Sequence, residues 1–226
     1  MMKRKLMWAL AFVPLLMTAM FYRSLPDNVP LHFDLYGNTD NFASKRNLWV
    51  LAVLPLMLTV LAEIVGVVRR RNTSEGREHA FMQLNQKALI VTVLLINVFS
   101  IVLTGVMLYL GFKSSQTMDA DFPTSTLLTV LNGVLLVGLG NMLPKTRRNS
   151  MIGFRVTWTL ESDIVWTKTH RFGGIVMLAS GLLTILSAFI LPDFWKLWAF
   201  VLFALVGCTI VLIYSRKVYK EEKENE

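Results

Sequence analysis

The sequence predicts an all-α, polytopic integral membrane protein with six transmembrane helices and both termini in the cytoplasm. Two composition figures lead there first. Apolar residues make up 54% of the 226 positions and only 17% are charged, where a soluble domain carries about a quarter charged residues. Mean hydropathy is +0.52, which excludes a disordered chain. The third observation is that Lys and Arg cluster in alternate connections. Cys208 is the only cysteine, so a disulfide-built scaffold is excluded as well.

A helix needs roughly 20 mostly apolar residues to cross the hydrocarbon core. Six stretches qualify: Leu6–Tyr22, Leu48–Val68, Ala88–Phe112, Thr124–Leu143, Ile175–Leu191 and Phe194–Tyr214. Backbone polar groups in lipid must be satisfied within the segment, which makes these runs helices. Barrel strands would alternate apolar and polar residues, and these runs do not. Pro14 and Pro55 fall inside two of them and are expected to kink rather than break them. The first run also follows a basic start, as a signal peptide does, but no small-x-small cleavage site follows and Met20, Phe21 and Tyr22 suit one poorly. An uncleaved first helix is the expectation.

Orientation follows from the basic residues. The N-terminus, Arg69–Lys87, Pro144–Arg171 and the tail from Ser215 hold eighteen of the 23 Lys and Arg residues. The intervening connections hold the other five. The rich set is therefore placed inside, and the net charge of +8 reads as an orientation signal that needs no nucleic acid to explain it. The chain divides into an N-terminal membrane region, 1–112, with three helices and an ordered outer loop at 25–47, and a C-terminal membrane region, 113–226, with three helices and an inner segment at 144–174. Arg69–Lys87 reads as a short linker, Lys113–Pro123 as a polar outer loop, and Lys217–Glu226 as a solvated mixed-charge end.

Two connections carry more. In the outer loop, Pro26 and Pro30 stiffen the start by fixing φ. Leu31, Phe33 and Leu35 alternate with His32 and Asp34, the period of a short extended segment with one apolar face. Gly37-Asn38 supplies a turn. His32, Asp34, Asn38 and Asp40 offer cation donors. However, the glycine follows the first aspartate by three residues instead of the five of a calcium loop, and the segment reads as a folded outer cap. In the inner segment, Thr159 is placed to cap a helix whose first turn holds Glu161 and Asp163. Leu160 and Ile164 share a face, and Trp158 and Trp166 suit the headgroup layer. The expectation is an interfacial helix running into the fifth span.

These two segments resemble the SdpI family of immunity proteins. Leu25–Lys45 resembles its outer Leu-Pro-x-x-Val-Pro-x-His stretch with a glycine turn, here Pro26, Pro30, His32, Phe33 and Gly37. The inner segment resembles its second signature through Pro144, Asn149, Gly153, Arg155, Trp158-Thr159-Leu160, Trp166 and Thr169-His170-Arg171-Phe172-Gly173-Gly174. Val156-Thr157 stands where the family usually has Thr-Pro. The resemblance implies immunity to a secreted, membrane-attacking peptide toxin met outside the cell. For the best-known type it also implies a receptor role, in which a cytoplasmic ArsR-type repressor is held at the membrane. The outer residues are then toxin-facing candidates and the inner ones, Asn149 to His170, a cytoplasmic motif.

Other classes find less in the residues. His32, His79 and His170 divide across the membrane, no His-x-x-x-His or Glu-x-x-His pair occurs, and Ser150 and Cys208 have no neighbouring base. An enzyme is not expected, and no cofactor motif is present. The main alternative is a small-solute or proton-coupled transporter, for which Glu63 in the second span is the candidate ionisable group. Its structural reading is a pairing with Arg69 or Arg70, or a reach to the inner headgroup layer. Asn97, Asn132 and Asn141 are candidates for bonds between helices.

Overall fold

A computed structural model describes residues 2–36, 39–72, 77–114, 123–149 and 151–225. Its long helices are α1 (Met2–Phe21), α2 (Leu48–Asn72), α3 (Arg77–Ser114), α4 (Thr124–Met142), α6 (Asp163–Ile190) and α7 (Asp193–Glu224). All six contain stretches long and apolar enough to cross a membrane. A one-turn helix, α5 (Thr157–Glu161), precedes α6. Pro14 and Pro55 lie inside α1 and α2, which continue through them.

The outer loop is a two-stranded antiparallel hairpin, β1 (Asn28–Phe33) with β2 (Thr39–Ser44). The alternation of Leu31, Phe33 and Leu35 anticipates the first strand. The second strand, Thr-Asp-Asn-Phe-Ala-Ser, has no such alternation to announce it. Two irregularities flank His32 in the register, where Pro30 has no N–H to give the ladder. The Lys45 N–H donates to the Asp27 carbonyl at 2.9 Å and closes the base of the hairpin. Val29 and Leu25 bury themselves against Leu48, Met107 and Leu108, with Phe33 packed at the margin. The hairpin is thereby fastened to α2 and α3.

The segment read as a short linker and the solvated C-terminal end are largely helical. α2 runs on to Asn72 and α3 begins at Arg77, so most of Arg69–Lys87 prolongs the two spans. The tail Lys217–Glu226 likewise belongs to α7 as far as Glu224. Ser215 and Glu222 of α7 accept from Trp158 of α5 and from Ser162 before α6, which gives the polar turns a docking surface.

α1, α2 and α3 pack on one another, as do α4, α6 and α7, with α3 against α4 between the two groups. In the first group Asn97 of α3 is fully buried and donates to the Met7 carbonyl of α1 at 2.9 Å and to Thr59 Oγ1 of α2 at 3.3 Å. Such interhelical bonds in lipid contribute about 0.6–2 kcal/mol. Glu63 is held by Arg4 of α1 in a two-point contact, with Nε to Oε1 at 2.5 Å and Nη2 to Oε2. The partner is thus a residue 59 positions away in sequence, and the side chains of Arg69 and Arg70 lie outside the described residues. A bidentate guanidinium–carboxylate pair satisfies both charges at the end of the span.

The second group is built on glycine. Gly133 and Gly140 of α4 meet Gly181 and Gly174 of α6, each pair seven residues apart along its helix. A β-carbon at Gly181 would lie 2.7 Å from the Gly133 carbonyl, and one at Gly140 would lie 2.9 Å from the Gly174 carbonyl. Small residues at such a seam let two backbones touch, which replaces the hydrophobic drive that lipid cannot supply. Gly140→Val should therefore force the helices apart at a cost of about 1–3 kcal/mol. Heating the purified protein in detergent and following the monodisperse fraction checks this. An unchanged melting temperature would mean the seam carries no weight.

Candidate functional site

The six helices reverse direction at each connection, so the hairpin lies at one end of the bundle and both termini lie at the other. The end with the termini also holds the inner segment, which leaves α4 through a 3-10 turn, Leu143–Lys145. A β-carbon at Gly174 would lie 2.7 Å from Pro144 Cγ, so the proline rests directly on α6. Asn149 folds the next turn. Its Oδ1 accepts from the N–H groups of Met151 (2.7 Å) and Ile152 (2.9 Å), and its Nδ2 donates to the carbonyls of Arg147 (2.7 Å) and Ile152 (3.2 Å). The Arg147 N–H donates to Asn85 Oδ1 of α3 at 2.8 Å, tying the segment to the first helix group.

Gly153 has φ +120°, a conformation open to glycine and strained for other residues. A β-carbon there would also collide with His170 Nε2. The Phe154 N–H donates to that same Nε2 at 3.0 Å, and His170 Nδ1 lies 2.8 Å from the Trp166 carbonyl. An accepting Nε2 assigns the ring proton to Nδ1, which donates to the carbonyl. The imidazole stacks on Trp166 with centroids 3.9 Å apart and ring planes at 16°. Trp166 is fully buried, so the expectation that it sits in the headgroup layer is overturned. Its ring packs face to face on His170 within α6. Thr169 is fully buried in the same stretch.

Thr159 does not cap the following helix. It sits within α5, where its hydroxyl accepts from the Val156 N–H at 3.1 Å and lies 2.7 Å from the Phe154 carbonyl. Ser162 is the cap, accepting from the N–H groups of Ile164 (3.1 Å) and Val165 (3.2 Å), with Asp163 in the first turn. The intervening residue was legible as a cap by type, but Thr159 masked it. Trp158 is half-buried, as an interfacial residue should be. Its Nε1 donates to Ser215 Oγ at 2.9 Å and its ring lies under the Arg216 guanidinium at 4.8 Å. Ser162 and Glu161 meet Glu222 and Tyr219 at 2.6 and 2.7 Å, so the C-terminal turns of α7 clasp the motif.

Arg155 is exposed and has no hydrogen bond or ion pair among the described residues. The structural guanidinium of this segment is Arg148. Its Nη1 donates to the carbonyls of Leu160 (2.9 Å) and Glu161 (2.8 Å), and its Nε lies 2.8 Å from Asp163. In the sequence Arg148 is only one of the basic residues of Pro144–Arg171 that set the orientation. A cation twelve or so residues before a helix end carries no local signal of this contact.

At the hairpin end, Pro30 is buried and Pro26 half-buried, while His32 is exposed with Nδ1 2.6 Å from Asp40. Gly37 lies outside the described residues, as do Asn38 and the side chain of His79. Beneath the hairpin a cleft of about 730 Å³, open mouth included, separates β1 from the ends of α4 and α7 and is lined by Phe33, Leu128 and Phe200 among others. At its rim, Lys196 is buried and donates to Thr126 and Asp193 at 2.6 Å each. Asp193 also accepts from Ser125 at 2.5 Å. These four residues were not singled out in the sequence, because each looks ordinary until α4 and α7 bring them together.

The Gly153–His170 contact makes a testable cycle. Gly153→Ala should destabilise by about 1–3 kcal/mol through its backbone alone, with the collision adding to it. Adding His170→Ala should recover the collision part and leave the backbone part. Melting temperatures of the four proteins check this, and strictly additive effects would show that the two positions do not press on each other.

The SdpI/YfhL protein family matches residues 145–215, from the motif segment through most of α7. A domain of unknown function, DUF1648, matches residues 9–59, which take in most of α1, the hairpin and the start of α2. Immunity protein SdpI of Bacillus subtilis (strain 168) is 21% identical over 206 residues, covering 91% of this chain and 90% of its own. No solved structure matches. The chain is a multi-pass protein of the cell membrane whose residues 145–215 match the SdpI/YfhL protein family and which is similar over most of its length to Immunity protein SdpI.

Proposed function

We propose that the chain is a membrane immunity protein that protects its cell from a secreted, membrane-attacking peptide toxin. The observation that carries this reading is the end-to-end likeness to Immunity protein SdpI, joined to the motif residues that surround His170. The distribution of the basic residues supports a hairpin outside and a motif segment inside. Toxin is then met at the hairpin, where His32 is exposed and Phe33 lines the cleft.

The inner motif has a packing role that accounts for most of its residues. Asn149, Gly153, Trp158, Thr159, Trp166 and His170 are occupied with one another or with α7. Arg155 is the member left facing outward, so it is the candidate contact for a cytoplasmic ArsR-type repressor. Its planar guanidinium suits an acidic patch in a way lysine does not copy. The transport alternative rests on Glu63, and the Arg4 contact gives that carboxylate a structural task instead.

Expression in a Bacillus subtilis strain lacking its own Immunity protein SdpI tests the reading, with survivors counted beside a toxin-producing culture. The chain should raise survival over the empty vector, and His32→Ala should lower it at equal protein level. Arg155→Lys should retain survival and lose membrane recruitment of a fluorescent repressor. Survival no better than the vector would refute immunity to that toxin.

A further inference from the structure

We propose that the lipid-facing groove between α6 and α7, at the bundle end that holds the termini, binds the phosphate headgroup of an anionic phospholipid through Lys168, Arg171 and Lys217. Arg171 is the one exposed member of the motif stretch 169–174. On α6, Ile164, Lys168, Arg171 and Ile175 recur at spacings of three and four, so they share a face, and all four are exposed. Beyond Ile175 the exposed large side chains of α6 are apolar, among them Leu182, Leu186 and Phe189. α7 makes the same change, with exposed Ile210 and Ile213 followed by exposed Arg216 and Lys217. The apolar-to-basic boundary marks the headgroup layer on both helices.

At that boundary the rings of Phe172 and Tyr214 meet across the seam, with centroids 4.2 Å apart. The two helices are antiparallel, so four residues back from Phe172 and three on from Tyr214 reach about the same level. Lys168 and Lys217 therefore flank the seam on one side, with Arg171 just above. Lys168 and Arg171 have no hydrogen bond or ion pair among the described residues. Lys217 is 73% exposed and has Glu221, a turn farther from the apolar belt, at 3.8 Å. Glu222, which borders the groove with Glu221 and Lys168, accepts from Ser162 at 2.6 Å. With both acids counted, the three cations still leave a positive surplus.

The exposed isoleucines select a lipid over a soluble anion or an acidic protein patch. Ile175 and Ile213 lie one turn deeper than Arg171 and Lys217, where acyl chains run, and a soluble anion would gain nothing from them. The planar guanidinium of Arg171 suits two phosphate oxygens, and the two lysines supply point charges beside it.

The full chain purified in a neutral detergent provides the test, with bound lipid counted by native mass spectrometry. Dioctanoyl phosphatidylglycerol should bind roughly 25-fold tighter than dioctanoyl phosphatidylcholine, because each of the two unpaired cations contributes about fivefold. Lys168→Gln and Arg171→Gln should each lower the affinity for phosphatidylglycerol about fivefold, and the double variant should bring the two lipids level. Both side chains are exposed, so these variants should fold. The charge-keeping exchange, Lys168→Arg with Arg171→Lys, should retain the preference. Lys3→Gln with Lys5→Gln removes two exposed cations from the same end of the bundle and should leave the preference intact. Equal binding of the two lipids by the unaltered chain, or a preference unmoved by the double variant, overturns the site. An equal loss in the Lys3 and Lys5 variant does so too, since it would trace the preference to diffuse charge. Displacement of the lipid by inorganic phosphate at equal concentration would reassign the groove to a soluble anion and likewise overturn it.

Discussion

The backbones of α4 and α6 touch, and the position of nearly everything in the C-terminal half follows from that contact. Four glycines remove the side chains that would hold the helices apart. The close approach brings Pro144, just past the end of α4, onto Gly174. The chain leaving Pro144 must then fold back over the start of α6, where it meets Trp166 and His170. Gly153 makes the tight reversal there, and the buried imidazole supplies the acceptor that the Phe154 N–H requires. In lipid, where apolar side chains gain little by leaving one apolar surface for another, this kind of backbone contact decides which helices stay together.

Polar groups do the remaining work at the bundle's two ends. Arg4 with Glu63, Asn85 with the Arg147 N–H and Glu222 with Ser162 tie the end that holds the termini. Lys196, Asp193 and Ser125 tie the end under the hairpin. Asn97 serves the middle of the first helix group. α7 takes part at both ends, lining the cleft with its first turns and clasping the motif with its last.

The six spans were legible because lipid imposes a length and an apolar composition that no other environment imposes together. The first strand of the hairpin was legible for the related reason that its alternation marks one buried face. The second strand, Thr39–Ser44, was not, since it packs on β1 and leaves its own side chains largely exposed. Partners distant in sequence were the main losses. Glu63 was read against its near neighbours Arg69 and Arg70, and the contact with Arg4 of another helix gave no local signal. Trp166 was read as an interfacial anchor because tryptophan often is one, and only the fold shows that it is fully buried with His170 stacked on it. The structural contacts of Arg148 went unread for the same reason. Both are arginines in a basic segment, and the carbonyls of Leu160 and Glu161 that distinguish them come together only when the segment folds.

The central claim is that one bundle carries the hairpin outside the cell and the His170-centred motif inside it. Single cysteines at Asn41 and Thr157, both exposed, in a Cys208→Ser background, test it directly with an impermeant thiol reagent. On intact cells the account predicts labelling at position 41 and none at 157, with 157 becoming reactive once the membrane is opened. Labelling of 157 on intact cells would contradict it.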